Sequence, residues 1–212
     1  MNHLKVVFAP GVVPGKWLGR FDERVNGWLA AAAQSDDPLA HVLAGRADLA
    51  ILRLPGGWKG MDGHRIDEEA MRRLGLHRVV LYEEQAGVAA PKDHALEAVG
   101  ENEMVRPEDL EDEMVLYSGV DPAMVRENLE VVAANVGVVV APRPLLRSVN
   151  RRGVVHRSLV TGPGAHGTPD VSDAPDTPAA SRIALVWKKS EDNEVIQQFV
   201  GICRGRRASS SR

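Results

Sequence analysis

The first 54 residues switch back and forth between two periodicities, and this alternation restricts the fold more than any other feature of the chain. "LKVVFA" (4–9) is a short apolar run closed by Pro10 and Gly11, the signature of a buried strand. Pro14 stands where a missing N–H suits the first turn of a helix, and Trp17, Leu18, Phe21, Val25 and Trp28 then recur at helical spacing. A short strand is read around "WLAAAA" (28–33). Asp37 and Pro38 mark the N-cap and first position of a second helix, with Leu39, Val42 and Leu43 as its apolar stripe and Gly45 as its end. "DLAILRL" (48–54) is a third strand whose centre, 49–52, shows no polar alternation, as expected where both faces are covered. Strand, helix, strand, helix, strand is the order of a parallel sheet with crossover helices. The anomaly is Arg53, a permanent charge at the end of that apolar run.

The pattern continues through a loop at 55–66, a short helix at 67–74, and strands in "HRVVLYEE" and "GVAAP" with a break near Gln85. It restarts after Pro91. "PEDLEDE" (107–113) reads as a short acidic helix and "MVLYSG" (114–119) as a strand. "DPAMVRENLEVVAANVG" repeats the Asp-Pro helix start. "VVVAP" (138–142), "RPLLRSVNRRG" and "VVHRSLV" give strand, helix, strand. Residues 161–181 hold four prolines and three glycines and read as a mobile connection. "RIALVW" (182–187) is a last strand, 191–204 a last helix, and the tail is basic and Ser-rich. Two groups of α/β units on either side of a break predict two lobes, with ligands expected at the carboxyl ends of their strands.

Composition narrows the function. A net charge of -3 gives no electrostatic reason to expect nucleic acid or an anionic membrane, and 4% aromatic residues leave little for base stacking. A single cysteine, Cys203, excludes an internal disulfide and fits a reducing compartment. Neither a signal peptide nor an apolar membrane span is legible, so the reading is cytoplasmic. "GPGAHG" (162–167) matches a dinucleotide fingerprint, but Pro169, Pro175 and Pro178 forbid the helix that would give those glycines their purpose. The seven histidines show no metal-ligand spacing, and no cofactor is expected. Glu83-Glu84 and 111–113 read as solvated faces.

"LAGRADLAI", "KDHALEA", "VVAANVGVVVAP" and "RIALVWKK…FVGICRG" together resemble, in order and over nearly the whole chain, the effector-binding domain of LysR-type transcriptional regulators. The resemblance implies an α/β, two-lobed type 2 periplasmic-binding-protein-like fold with mixed, mostly parallel sheets. It puts lobe I at 1–91 and 180–212, lobe II at 92–165, and a Pro/Gly/Asp-rich connector at 166–179. Three departures stand out. Met1 lies just before the first strand, so no helix-turn-helix DNA-binding module is expected in this chain. Lobe II is shortened: between "LYSG" and "VVAAN" the family has another helix and strand, and here one helix of about a dozen residues bridges the gap. Asn135 stands where the family has Gly, as the next-best residue for a left-handed helix end.

The resemblance also assigns ligand-binding positions, where free N–H groups and helix dipoles attract carboxylates. In lobe I these are Gly11, Val12 and Val13 through their backbone, Lys16 in the next turn, and Ser35, which is equally well read as a helix-capping residue. Arg53 would clamp an acid ligand in a bidentate contact, or else form a structural ion pair with Asp36, Asp37 or Asp48. In lobe II they are Ser118, Gly119 and Pro142, the last followed by Arg143. The mixture of acids and bases suits a ligand carrying both an amine and a carboxylate. The resulting reading is a non-enzymatic sensor that binds a small organic or amino acid in the cleft between the lobes, stand-alone and acting through a partner. It would pair as a homodimer through lobe I (28–34 and 38–44). The alternative is a cytoplasmic enzyme on the same fold that acts on a small carboxylic acid.

Overall fold

The apolar runs named above all become strands in the computed structural model, which describes residues 1–54, 68–160 and 181–205, for Glu68 the backbone only. They are β1 (Asn2–Phe8), β2 (Trp28–Gln34), β3 (Leu49–Leu54), β4 (Leu76–Glu83) and β5 (Ala86–Pro91), then β7 (Val115–Ser118), β8 (Val138–Pro142), β9 (Val154–Leu159) and β10 (Arg182–Lys188). A two-residue strand, β6 (Met104–Val105), completes the set among the described residues. The helices are α1 (Gly15–Arg24), α2 (Pro38–Leu43), α3 (Glu68–Arg73), α4 (Pro122–Ala133), α5 (Arg143–Ser148) and α6 (Glu194–Cys203). The acidic helix expected at 107–113 is a single 3₁₀ turn, Pro107–Leu110. The loop 55–66 and the connector 166–179 lie outside the described residues.

Both Asp-Pro starts cap as their chemistry dictates. Asp37 accepts from the Ala40 N–H at 2.9 Å, and Asp121 accepts from those of Ala123 and Met124. Asn193 does the same for α6, accepting from Ile196 N at 3.0 Å. α1 stops one turn earlier than its apolar spacing suggests: Val25 caps it, and Trp28 belongs to β2.

The strands form two sheets, ordered β2-β1-β3-β10-β4 and β6-β9-β5-β8-β7. They lie in two units. Among the described residues the first takes 1–54, 68–82 and 183–205, and the second 83–160 with 181–182. In the first unit β1 runs parallel to both β2 and β3. Leu49 and Ile51 join Leu4, Val6, Phe21 and Phe199 on one face of this sheet. Ala50 and Leu52 join Val7, Val42 and Met71 on the other. Period-two alternation is present, but both faces are core, so it never appears as a polar signal. Phe21 of α1 and Phe199 of α6 meet edge-on with centroids 5.6 Å apart.

The second unit's sheet is mixed. β5 is antiparallel to β8 and β9, whereas β6–β9 and β7–β8 are parallel pairs. Its faces are again both covered: Val88, Val138, Val140 and Leu159 by Leu96 and Leu110, and Ala89, Val139 and Ala141 by α4 and α5. The single twelve-residue helix α4 makes the whole β7-to-β8 crossover. Val125, Leu129 and Val132 are its buried stripe. Beyond it Asn135 takes the left-handed conformation (φ 65°), which asparagine tolerates better than other non-glycine residues. Gly137 follows with φ 56°, and a Cβ there would stand 2.3 Å from the Met114 carbonyl oxygen.

One boundary differs from expectation. The first lobe was expected to run to residue 91, but β5 belongs wholly to the second sheet and the division falls between Tyr82 and Glu83. Pro91-Lys92-Asp93 is a turn inside the second unit. Lys92 N donates to Gly153 O at 2.9 Å and His94 N to Pro91 O at 3.1 Å. The first unit correspondingly resumes at Ile183 and not at 180.

Candidate functional site

In the first unit the register of β1 fixes what lies at the carboxyl ends of the strands. Phe8 stands opposite Gln34 on β2 and Ile51 on β3. The next residues are then tied across: Ser35 N donates to Phe8 O at 3.0 Å, and Ala9 N to Ile51 O at 2.9 Å. Three of the expected positions, Gly11, Ser35 and Arg53, are thereby gathered at one end of this sheet. Gly11 turns the chain with φ 84°. Val12 buries its side chain in the core, and its N–H donates to Ala9 O at 3.2 Å. Val13 and Lys16 are exposed, Val13 by 85%.

Arg53 is buried, at 8% exposure, although its strand is apolar on both sides. Its Nη2 donates to the Pro10 carbonyl at 3.0 Å, which fastens the loop after β1 to the end of β3. Two of the three aspartates suggested as partners serve other donors: Asp48 accepts from Lys5 N at 2.6 Å, and Asp37 caps α2. Ser35 accepts from Asp37 N at 3.2 Å, so its hydroxyl shapes the turn into that helix.

In the second unit Ser118 pairs with Val140 on β8, and Gly119 N donates to Val140 O at 3.0 Å. A side chain at Gly119 would collide with the Tyr117 hydroxyl, which accepts from Asp121 N at 3.1 Å. Pro142 closes β8 opposite Ala86. Ser118 and Pro142 thus stand at the carboxyl ends of adjacent strands.

Three polar groupings escaped the sequence reading. Glu84, read there as solvated, is 4% exposed and accepts from the Ser181 hydroxyl at 2.7 Å, while its N–H donates to Ser181 O at 2.7 Å. Ser181 is 97 residues away, so no local pattern signals this contact. Beside it Gln85 Nε2 donates to Leu159 O at 2.7 Å. His94 accepts from Leu96 N through Nδ1, which leaves Nε2–H to donate to Glu113 at 2.8 Å. Arg143 reaches Ser158 Oγ at 2.5 Å through Nη1 and Glu101 O at 3.1 Å through Nη2. The signal for this last group was present: from 131 to 160 the chain has five arginines and no Asp or Glu.

Burial pushes the Cys203 thiol up to about 12, far from the thiolate that redox or covalent chemistry needs. Among the described residues no cluster of three or more His, Cys, Asp or Glu side chains could hold a metal ion, and no helix is long and apolar enough to cross a membrane.

No protein-family model matches the sequence, and neither does any curated protein. Solved structures do. The BenM effector-binding domain with its effector benzoate superposes with a TM-score of 0.59 at 14% identity, over 96% of this chain and 91% of that one. The reduced form of OxyR gives 0.60 at 18% identity, over 100% and 98%. A cysteine mutant of OxyR from Corynebacterium glutamicum gives 0.56 at 19% identity, over 97% of this chain but only 64% of that longer one. The topology and these likenesses agree: the chain has the fold of the effector-binding domains of LysR-type transcriptional regulators.

Proposed function

We propose that this chain is a ligand-sensing domain that binds a small organic or amino acid through groups at the carboxyl ends of the strands in each unit. The observation that supports it best is the topology: two α/β sheets with turn backbone and polar side chains collected at those ends. In the first unit the groups are the Gly11–Val13 turn, Lys16, Ser35 and Arg53; in the second they are Ser118, Gly119 and Pro142. Arg53 contributes by holding the Gly11 turn in place, and Lys16, exposed in the first turn of α1, supplies mobile positive charge. Lobe rearrangement or a shifted dimer would carry the signal onward, to transcription through a DNA-binding segment or a partner protein. The edge strand β2, where the side chains from Ala31 to Gln34 are exposed, is the surface for pairing two copies.

A thermal-shift screen of small amino, aromatic and dicarboxylic acids tests the reading. A ligand at about 100 times its dissociation constant adds about 2.7 kcal/mol to stability, which raises Tm by several degrees. The acid should be recovered unchanged, and the shift should shrink in Lys16→Gln. Conversion of the acid during incubation would instead establish the enzyme alternative.

A further inference from the structure

The basic stretch of the second unit holds two buried polar atoms that meet no partner. Arg143 begins α5 directly over Gly87, where a Cβ would come within 3.1 Å of the arginine's Cα and Cβ. That close approach lets its guanidinium extend across β5 to Ser158 Oγ on β9 and to Glu101 O ahead of β6. Both terminal nitrogens are occupied there, but Nε–H is buried and meets no acceptor. Two residues before Ser158, on the same face of β9, His156 has a buried Nδ1 that is also without a partner. Two unmet nitrogens on one face of the same sheet, with Arg143 close enough for its charge to act on His156, are unusual, since buried polar groups are nearly always paired.

The surrounding charge has one sign. Burial lowers the proton affinity of His156, and the charges of Arg143, Arg147 and Arg157 lower it further; the one opposing influence is its own backbone, and no carboxylate opposes them. Arg157 turns to the other face, where it donates to Val99 O and Glu97 O, and Arg151 pairs with Glu130. Arg143 and Arg147 are left as the cations on the His156 side. Such a place lacks an acceptor and a negative charge, and an oxyanion supplies both.

The geometry points to an oxyanion site on the second unit, with Arg143 Nε–H and His156 Nδ1–H as donors and Arg147 as a further positive charge. A carboxylate of an organic acid and a free tetrahedral anion present the same acceptor oxygens. The site deepens the sensor reading, on which it rests only in taking the anion to be part of the sensed molecule. Arg143 directly follows Pro142, so it would extend the second unit's share of the binding groups.

The test is a histidine side-chain nitrogen–proton NMR titration of the full chain with sodium sulfate, set against sodium chloride at equal ionic strength. The His156 resonance is identified by its loss in His156→Gln. The expected result is a saturable His156 shift with sulfate, weakened about tenfold in Arg143→Gln and to a smaller degree in Arg147→Gln. Arg147 is exposed, so the latter variant should fold normally. Sodium acetate saturating the same resonance assigns the site to carboxylates; sulfate alone doing so assigns it to tetrahedral anions. A linear drift that chloride reproduces, or saturation unchanged in both arginine variants, overturns the proposal and leaves ordered water as the missing acceptor. If His156 stays silent while an acid from the screen still raises Tm, the sensor reading stands without this site.

Discussion

Each unit places an arginine at the end of a buried strand, and the two behave differently. Arg53 gives a terminal nitrogen to the carbonyl of Pro10 and so fastens one loop of the first unit to its sheet. Arg143 occupies both terminal nitrogens and still keeps a buried Nε–H unmet, in a stretch from which acidic residues are missing. The setting decides which arginine is structural. The Arg53 guanidinium lies at the end of an apolar strand and holds the loop after β1 against its sheet. Arg143 lies instead in a stretch, 131–160, with five arginines and no Asp or Glu, a setting that favours an anion.

The comparison can be broken at several points. The largest effect is expected at Gly137→Ala, where the left-handed backbone and the 2.3 Å approach to Met114 O forbid a side chain. This should destabilise the second unit by about 4 kcal/mol, seen as a fall in the denaturant midpoint. Next comes Arg53→Ala, which strands the Pro10 carbonyl and removes a buried aliphatic stem at a cost of about 3 kcal/mol. Arg143→Ala in sulfate-free buffer should cost only about 1 kcal/mol, because removing it also relieves repulsion on its neighbours. Equal losses from the two arginine variants would erase the distinction between them.

A smaller effect concerns pH. The folded proton affinity of His156 lies below its ordinary value of 6.5, so the unfolded chain binds more protons once pH falls below that value. The stability associated with neutral His156 is therefore complete above 6.5 and is lost as pH falls through the folded pKa. His156→Gln should flatten the stability profile on that acid limb and leave the profile above pH 7.5, about one unit higher, unchanged. Smallest of all is the response of Cys203. With its thiol pushed up to about 12, it should resist iodoacetamide in the native chain at neutral pH and react once the chain is unfolded in urea.

Much of the fold was legible because it is written in local chemistry. Asp37-Pro38 and Asp121-Pro122 start helices for reasons contained within four residues, and Asn135 ends α4 by its own tolerance of the left-handed conformation. The apolar centre of β3 announced a strand buried on both faces. What failed to show depends on partners far away in sequence. Glu84 looks like a surface acid until Ser181 returns beside it. β5 looks like the end of the first lobe until β8 and β9 claim both of its edges. β6, at two residues, is too short to carry any period. Among the expected binding residues, the turn at Gly11, Ser35 and Arg53 do gather at one sheet end, because parallel register delivers them there. Arg143 was named only as the residue after Pro142, since nothing local shows that Gly87 lets it cross the sheet.

The proposed sensor binds a small acid reversibly through turns at the carboxyl ends of its strands. Hydrogen exchange of the full chain, read by mass spectrometry with and without the acid giving the largest thermal shift, tests it most directly. The account predicts slowed exchange at Gly11–Val13 and Ser35 in the first unit, and also at Ser118–Gly119 and around Arg143 in the second. Protection absent from these turns, or spread evenly over the chain with no focus on them, would contradict it.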